Sequence, residues 1–219
     1  MLLRKIVKNV QLSVTFLQHP NFSSMAFNQQ NIGHLHKLID TFCMDKYYLN
    51  YNDFFSNHLG HGQIALFRLG DSLKHIEEFS KKYASHLEPK GGQLNQRDDA
   101  SVPKRDSIEE LRGKGAHFYF ILDHFKSLLA TTYSNNLDEM IPAEFPKLSD
   151  GIGDSALHPL IHIGYGYSAK SSTMVCEGLA YLHHSYFPLI LTSKSADKLG
   201  NFNNSKEKAY FDLRTIPSN

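Results

Sequence analysis

Apolar residues recur at three- and four-residue intervals along most of the chain, and nowhere do they alternate with period two for long enough to specify a strand. Ile32, Leu35, Ile39 and Phe42 predict a helix from Asn31 to Phe42. Asp53 to Gly70 reads as a second helix, capped by Asp53 and ended by Gly70 in the left-handed conformation. Leu73, Ile76, Phe79, Tyr83 and Leu87 predict a third, opened by Asp71 and stopped by Glu88-Pro89; its Glu77, Glu78, Lys81 and Lys82 form a solvated face. Lys90 to Arg105 is a polar loop. Ser107 and Glu110 have the spacing of a capping box for a short helix that Gly113 and Gly115 interrupt, and Ala116 to Tyr133 gives a long apolar helix. Pro142 and Pro146 predict broken short helices between Glu139 and Leu148, followed by a turn at Asp150 to Gly153.

The stretch from Asp154 to Pro188 combines helical apolar spacing with polar residues that packing does not require. Pro159 favours the first helical position, which places His158 at a helix start and His162 one turn in. Gly164-Tyr165-Gly166 is expected to end that helix, and Ser168, Ser171, Ser172 and Thr173 can cap the next. The fold class that follows is all-α, with one helical domain over residues 31–192 between an N-terminal extension, 1–30, and a polar, loosely ordered tail, 193–219.

Composition narrows the function classes. A chain of 219 residues is long enough to bury a full core without staples. Its net charge of +1, with both signs interspersed, argues against a nucleic-acid or membrane-surface binder. Two cysteines, Cys43 and Cys176, fit no metal spacing and permit at most one disulfide; a reducing compartment, the cytoplasm, is the natural reading. No apolar run is long enough to span a bilayer. Met1 to Ile39 has no acidic residue but carries Arg4, Lys5, Lys8 and Lys37, a composition that resembles a mitochondrial transit peptide. The alternative is an ordinary extension, or a start at Met25.

Thirteen histidines in a chain without tryptophan pose the chemical question of which of them cluster. His34 and His36 point different ways on their helix, and His75 and His86 fall on a polar side. His117 and His124 are seven apart and roughly aligned, a secondary pair. His58 and His61, three apart on an apolar face, and His158 and His162, four apart, are the principal pairs. Two imidazole pairs facing one core are a competent metal site for Fe, Zn, Cu or Ni, because buried imidazoles require hydrogen-bond or metal partners. The bland alternative is packing histidines bonded within the core. Neither Glu-x-x-His nor HExxH is present, so a carboxylate-bridged di-iron bundle and a zincin lack their signatures. Gly164-Tyr165-Gly166 follows a helix, not a strand, and no nucleophile elbow occurs.

Asn57-His58-x-x-His61, Ala65-Leu66, Leu69-Gly70, His158-Pro159-Leu160-Ile161-His162-Ile163-Gly164-Tyr165-Gly166 and Glu177-Gly178-Leu179-Ala180 together resemble the blocks of the questin oxidase-like proteins. The resemblance runs from about Tyr48 to Pro188 and implies a shortened or incomplete version of a larger helical fold. It also implies oxygen chemistry: oxidative, Baeyer-Villiger-type ring cleavage of a polycyclic aromatic or other hydrophobic substrate, with NADPH associated and a non-haem Fe(II) held by His58, His61, His158 and His162. Tyr165 and Glu177 match the motif as catalytic or ligand-orienting residues. Glu177 has a second reading as a carboxylate favoured by a helix N-terminus. Two functional alternatives follow: a non-catalytic relative acting as a helical binding protein, and a zinc hydrolase.

Overall fold

The computed structural model describes residues 29–52, 55–92 and 107–188. Most of the N-terminal extension, the whole polar tail and most of the polar loop lie outside them. Seven α-helices carry the described fold: α1 Gln29–Thr41, α2 Leu59–Arg68, α3 Leu73–Ala84, α4 Phe118–Thr131, α5 Leu137–Leu148, α6 His158–Ser168 and α7 Ser172–His184. A two-residue hairpin, β1 Asn50–Tyr51 with β2 Phe55–Ser56, is the one sheet among the described residues, with Asn50 opposite Ser56 and Tyr51 opposite Phe55. The all-α class expected from the periodicity therefore holds. None of the described helices is long and apolar enough to cross a membrane.

The centre of the molecule is α7. Every residue from Met174 to His184 is buried, polar Glu177, His183 and His184 included, so the helix is enclosed on all sides. Ser171 opens it, its side chain accepting from the Met174 N–H. On one side α4 contributes Phe118, Ile121, Leu122, Phe125 and Leu129 to a common core with Val175, Leu179 and Leu182. On another side α6 lies antiparallel to α7, joined by a tight turn in which Lys170 takes φ +54. Gly166 and Gly178 make this approach close: a Cβ on Gly178 would stand 2.5 Å from Ile163 Cγ1 and 2.8 Å from its backbone nitrogen, and one on Gly166 would stand 2.9 Å from the Val175 nitrogen. A second cluster, Leu35, Ile39, Ile64, Ala169 and Met174, ties α1 and α2 to the α6–α7 hairpin.

Several expectations are corrected. Gly164-Tyr165-Gly166 does not end a helix; α6 runs through it to Ser168, because close packing on α7 outweighs the low helix propensity of two glycines. The predicted helix from Asp53 begins only at Leu59, the preceding residues forming β2, and Asp53 itself lies outside the described residues. Gly70, at φ +86, does terminate α2. The cap of α3 is Ser72, one residue beyond Asp71, and the helix ends at Ala84. Pro142 and Pro146 do not break α5: they leave two carbonyls without helical partners, yet Leu137, Met140, Glu144 and Leu148 are buried along one side and hold the helix together. His117 is outside α4, in the left-handed conformation at φ 61, so its helical alignment with His124 is lost. Both cysteines are buried and free.

The end of α7 carries a pH-sensitive group away from the histidine pairs. His183 is buried, and its Nδ1 has no hydrogen-bond partner. Burial, followed by the neighbouring Arg112 and His124, lowers its pKa to about 4; Glu109 opposes the shift and His184 adds to it. The folded state thus binds fewer protons than the unfolded chain between pH 6.5 and about 4. This contribution to stability is complete above pH 6.5 and is lost as pH falls through that window, at no more than about 1.4 kcal/mol per pH unit. Replacing His183 with Gln is expected to make the acid side of a stability–pH curve shallower by about one proton. Parallel curves for the two proteins, from urea melts at several pH values, check this.

Candidate functional site

The two histidine pairs meet where α2 packs on α6. The approach to α2 is fixed by Asn57, whose side-chain oxygen accepts from the Leu59 N–H while its amide donates to the Tyr48 carbonyl. His58 therefore sits at the N-cap position, one residue ahead of the helix, and its backbone N–H donates to the Tyr83 hydroxyl. His61 lies in the first turn and is buried. On α6, His158 is the first residue with Pro159 following, as Pro159 predicts, and His162 is buried one turn on.

The four imidazoles form a continuous chain of ring contacts. Ring centroids are 4.7 Å apart for His158 and His58, 5.3 Å for His58 and His61, and 4.9 Å for His61 and His162. Tyr165 stacks on His61 at 5.1 Å with 24° between the planes. A 2.9 Å hydrogen bond joins His61 Nε2 to His162 Nδ1, and another of 2.9 Å joins His162 Nε2 to Glu177 Oε2. The other carboxyl oxygen of Glu177 accepts from the Met44 backbone N–H. His158 Nδ1 is bonded to the Ser155 carbonyl. That carbonyl belongs to a turn in which Ser155, Ala156 and Leu157 all take positive φ, an arrangement that costs non-glycine residues energy and recurs where a side chain must be aimed.

Burial keeps His58, His61, His162 and Glu177 uncharged. Burial, reinforced by the neighbouring imidazoles, lowers His61 to about 2, and burial alone lowers His162 to about 3. His58 is lowered by burial and by His158 and His162. Burial raises Glu177 to about 8, opposed by the Met44 N–H. The His162–Glu177 pair is thus held neutral, with one proton confined to the bond between them. At neutral pH His58, His61 and His162 each keep a lone pair. Among the described residues, no group of three or more His, Cys, Asp or Glu side chains already stands at metal-binding spacing. A small void about the size of one water molecule adjoins Glu177 and His162, lined also by Asn57, Gly60, Gln63 and Met174.

Every residue singled out in the sequence, His58, His61, His158, His162, Tyr165 and Glu177, is brought to this one place. Glu177 is the sixth residue of α7 and buried, so the helix N-terminus is not what favours it. The remaining histidines stay apart: His34 is exposed, His36 bonds the Ala169 carbonyl, and His75 pairs with Asp71 on the surface. Sequence reasoning missed the Met44 N–H and the Ser155 carbonyl, both backbone groups that no side-chain pattern reveals, and Asn57 as the residue that seats His58.

The family model for questin oxidase-like proteins matches residues 55–214, which include all six of these residues. Neither the curated proteins nor the solved structures provide a match. With well over half its length matched, the chain belongs to the questin oxidase-like family.

Proposed function

We propose that this protein is an oxidoreductase that uses O2, and a non-haem iron held by His58, His61, His158 and His162, to cleave a ring of a polycyclic aromatic or comparably hydrophobic substrate. The observation that carries the reading is the way the imidazoles are anchored. His162 is bonded through Nε2 to Glu177 and His158 through Nδ1 to the Ser155 carbonyl, so each leaves its other nitrogen for the cluster. Carboxylate and carbonyl partners of this kind orient metal-ligating histidines. The donor set fits Fe(II): neutral imidazoles suit it, and two imidazole nitrogens bonded to one ion at about 2.1 Å in adjacent positions stand about 3 Å apart, close to the separation of His61 Nε2 and His162 Nδ1. Binding there requires the His162 proton to move from Nδ1 to Nε2 as Glu177 gives up its own, whereas His61 Nε2 already presents a lone pair.

Bound Fe(II) would supply the oxygen chemistry that side chains alone lack. The side chains do the rest. Glu177 fixes the ring orientation of His162, Tyr165 braces His61 by stacking, and the apolar packing of α6 on α7 excludes water from the back of the site. A Baeyer-Villiger outcome places one oxygen atom of O2 between a carbonyl carbon and its neighbour and releases the other as water. Two electrons from NADPH and two protons complete the balance.

The direct His61–His162 hydrogen bond favours a second reading, in which the histidines satisfy one another in the core of a non-catalytic binding protein. Metal analysis of protein purified without a histidine tag separates the two, combined with an oxygen electrode, NADPH and a panel of anthraquinones. About one iron per chain and quinone-dependent oxygen uptake are expected. An intact fold with no bound iron favours the binding protein, and zinc without oxygen uptake favours a hydrolase.

A further inference from the structure

The C-terminal end of α7 gathers basic side chains whose enclosed nitrogens the fold does not partner. His183 is 3% exposed, and its Nδ1 is shut away from solvent without a hydrogen-bond partner. Arg112 is tied to the same place: the N–H of Gly113, the next residue, donates to the His183 carbonyl at 2.9 Å, and the Arg112 Nε is likewise enclosed without a partner. The guanidinium Cζ lies 5.4 Å from the centroid of the Tyr186 ring, which holds it there. Phe125 connects a third group, its ring centroid 6.1 Å from that of His183 and 5.4 Å from that of His124. An enclosed N–H without an acceptor is costly, and two in one place call for a shared acceptor. A metal ion is the wrong occupant, because Arg112 repels a cation and, among the described residues, no group of three or more His, Cys, Asp or Glu stands at metal-binding spacing.

We propose that Arg112, His124 and His183 bind a tetrahedral oxyanion of the phosphate class, either free or as the phosphoryl group of a larger molecule. The three come from separate segments: the loop before α4, α4 itself and α7. A tetrahedral anion accepts from several directions, whereas a carboxylate offers two oxygens in one plane. The charges that act on His183 are Arg112, His124 and His184, opposed by the exposed Glu109. With burial they hold its pKa at about 4, so at neutral pH the site offers the guanidinium charge and imidazole N–H donors, and a bound dianion draws a proton onto His183. The place is separate from the histidine pairs, since His183 lies six residues, about 9 Å of helix rise, beyond Glu177. The proposal is therefore independent of iron.

Sulfate, which keeps both charges throughout the working pH range, is titrated into the full chain at constant ionic strength while the histidine ring protons are followed by NMR. The His183 signal is assigned by its loss in His183→Gln. Saturable binding is expected, with the His183 pKa raised from about 4 by about one unit. Arg112→Gln should weaken binding about tenfold or more, and Arg112→Lys, which keeps the charge but not the planar fork, about threefold. His183→Gln should weaken it about threefold, and Glu109→Gln, which removes a repelling carboxylate, should tighten it about twofold. Lys74→Gln, on the exposed face of α3, should leave affinity within about twofold and measures non-specific attraction. Inorganic phosphate and adenosine 5′-monophosphate, titrated in parallel, separate the two sources: tighter binding of the ester by about tenfold assigns the site to a phosphoryl group, and equal binding to the free anion. No saturable binding, a His183 pKa that sulfate does not move, or equal losses in Lys74→Gln and Arg112→Gln would overturn the site. If Arg112→Gln does not fold, His183→Gln and the His183 pKa of the unaltered chain decide it.

Discussion

Protein in which His61 and His162 are both replaced by alanine is expected to hold less than about a tenth of the iron bound by the unaltered chain, and to lose quinone-dependent oxygen uptake altogether. These two residues supply a hydrogen-bonded pair of imidazole nitrogens 2.9 Å apart, one from α2 and one from α6. Removing both deletes a proposed ligand from each helix. It also removes both partners of one buried hydrogen bond together, which costs the fold less than leaving one of them unsatisfied. Circular dichroism should therefore show the helices retained while metal analysis shows the loss. Glu177→Gln gives a graded companion: it keeps the volume and a hydrogen bond to His162 but alters which nitrogen carries the proton, and a change of this kind typically weakens metal binding about 10- to 100-fold. Iron content unaffected by the double replacement would assign these histidines to packing.

The sequence disclosed the side chains that meet at this site more fully than their supports. His158 and His162 could be placed on one helix start because Pro159 constrains the chain locally, and that constraint holds in the structure. The meeting of α2 with α6, by contrast, depends on which side chains interlock across about a hundred residues, and no local pattern encodes it. The sequence argues for it only through two imidazole pairs that each need buried partners and through the family resemblance that groups them. The failures share one physical cause. Gly164 and Gly166 have low helix propensity, and Pro142 and Pro146 each remove a helical hydrogen bond, so each pair reads locally as a break. Tertiary burial overrides both, through Gly166 against α7 and through Met140 and Leu148 in the common core. The hairpin at Asn50 to Ser56 escaped notice because two residues per strand are too few to show alternation. The positive φ of Ser155, Ala156 and Leu157 is invisible in the sequence because none of them is glycine.

Gly178→Val is expected to destabilise the fold by about 3 kcal/mol, and Gly178→Ala by about 2 kcal/mol, in urea denaturation. The reason is that the obstruction is partly backbone. A Cβ at residue 178 would lie 2.8 Å from the Ile163 nitrogen and 3.2 Å from its Cα, so rotation of the Ile163 side chain cannot relieve it and α6 must move away from α7. That movement has a chemical consequence. Glu177 precedes Gly178 and His162 precedes Ile163, so the carboxyl–imidazole hydrogen bond spans the very gap that would open. Gly178→Ala should therefore lower iron affinity through loss of His162 orientation even though residue 178 touches no ligand, and a shorter side chain on the facing helix, Ile163→Ala, should not restore it. Gly164→Ala, at the residue next to Ile163, changes stability with the opposite sign because its Cβ faces open space. Denaturation midpoints and iron content measured on both alanine variants decide the matter: if Gly178→Ala is as stable as the unaltered protein and binds iron as well, the close contact of α6 with α7 is not what orients His162.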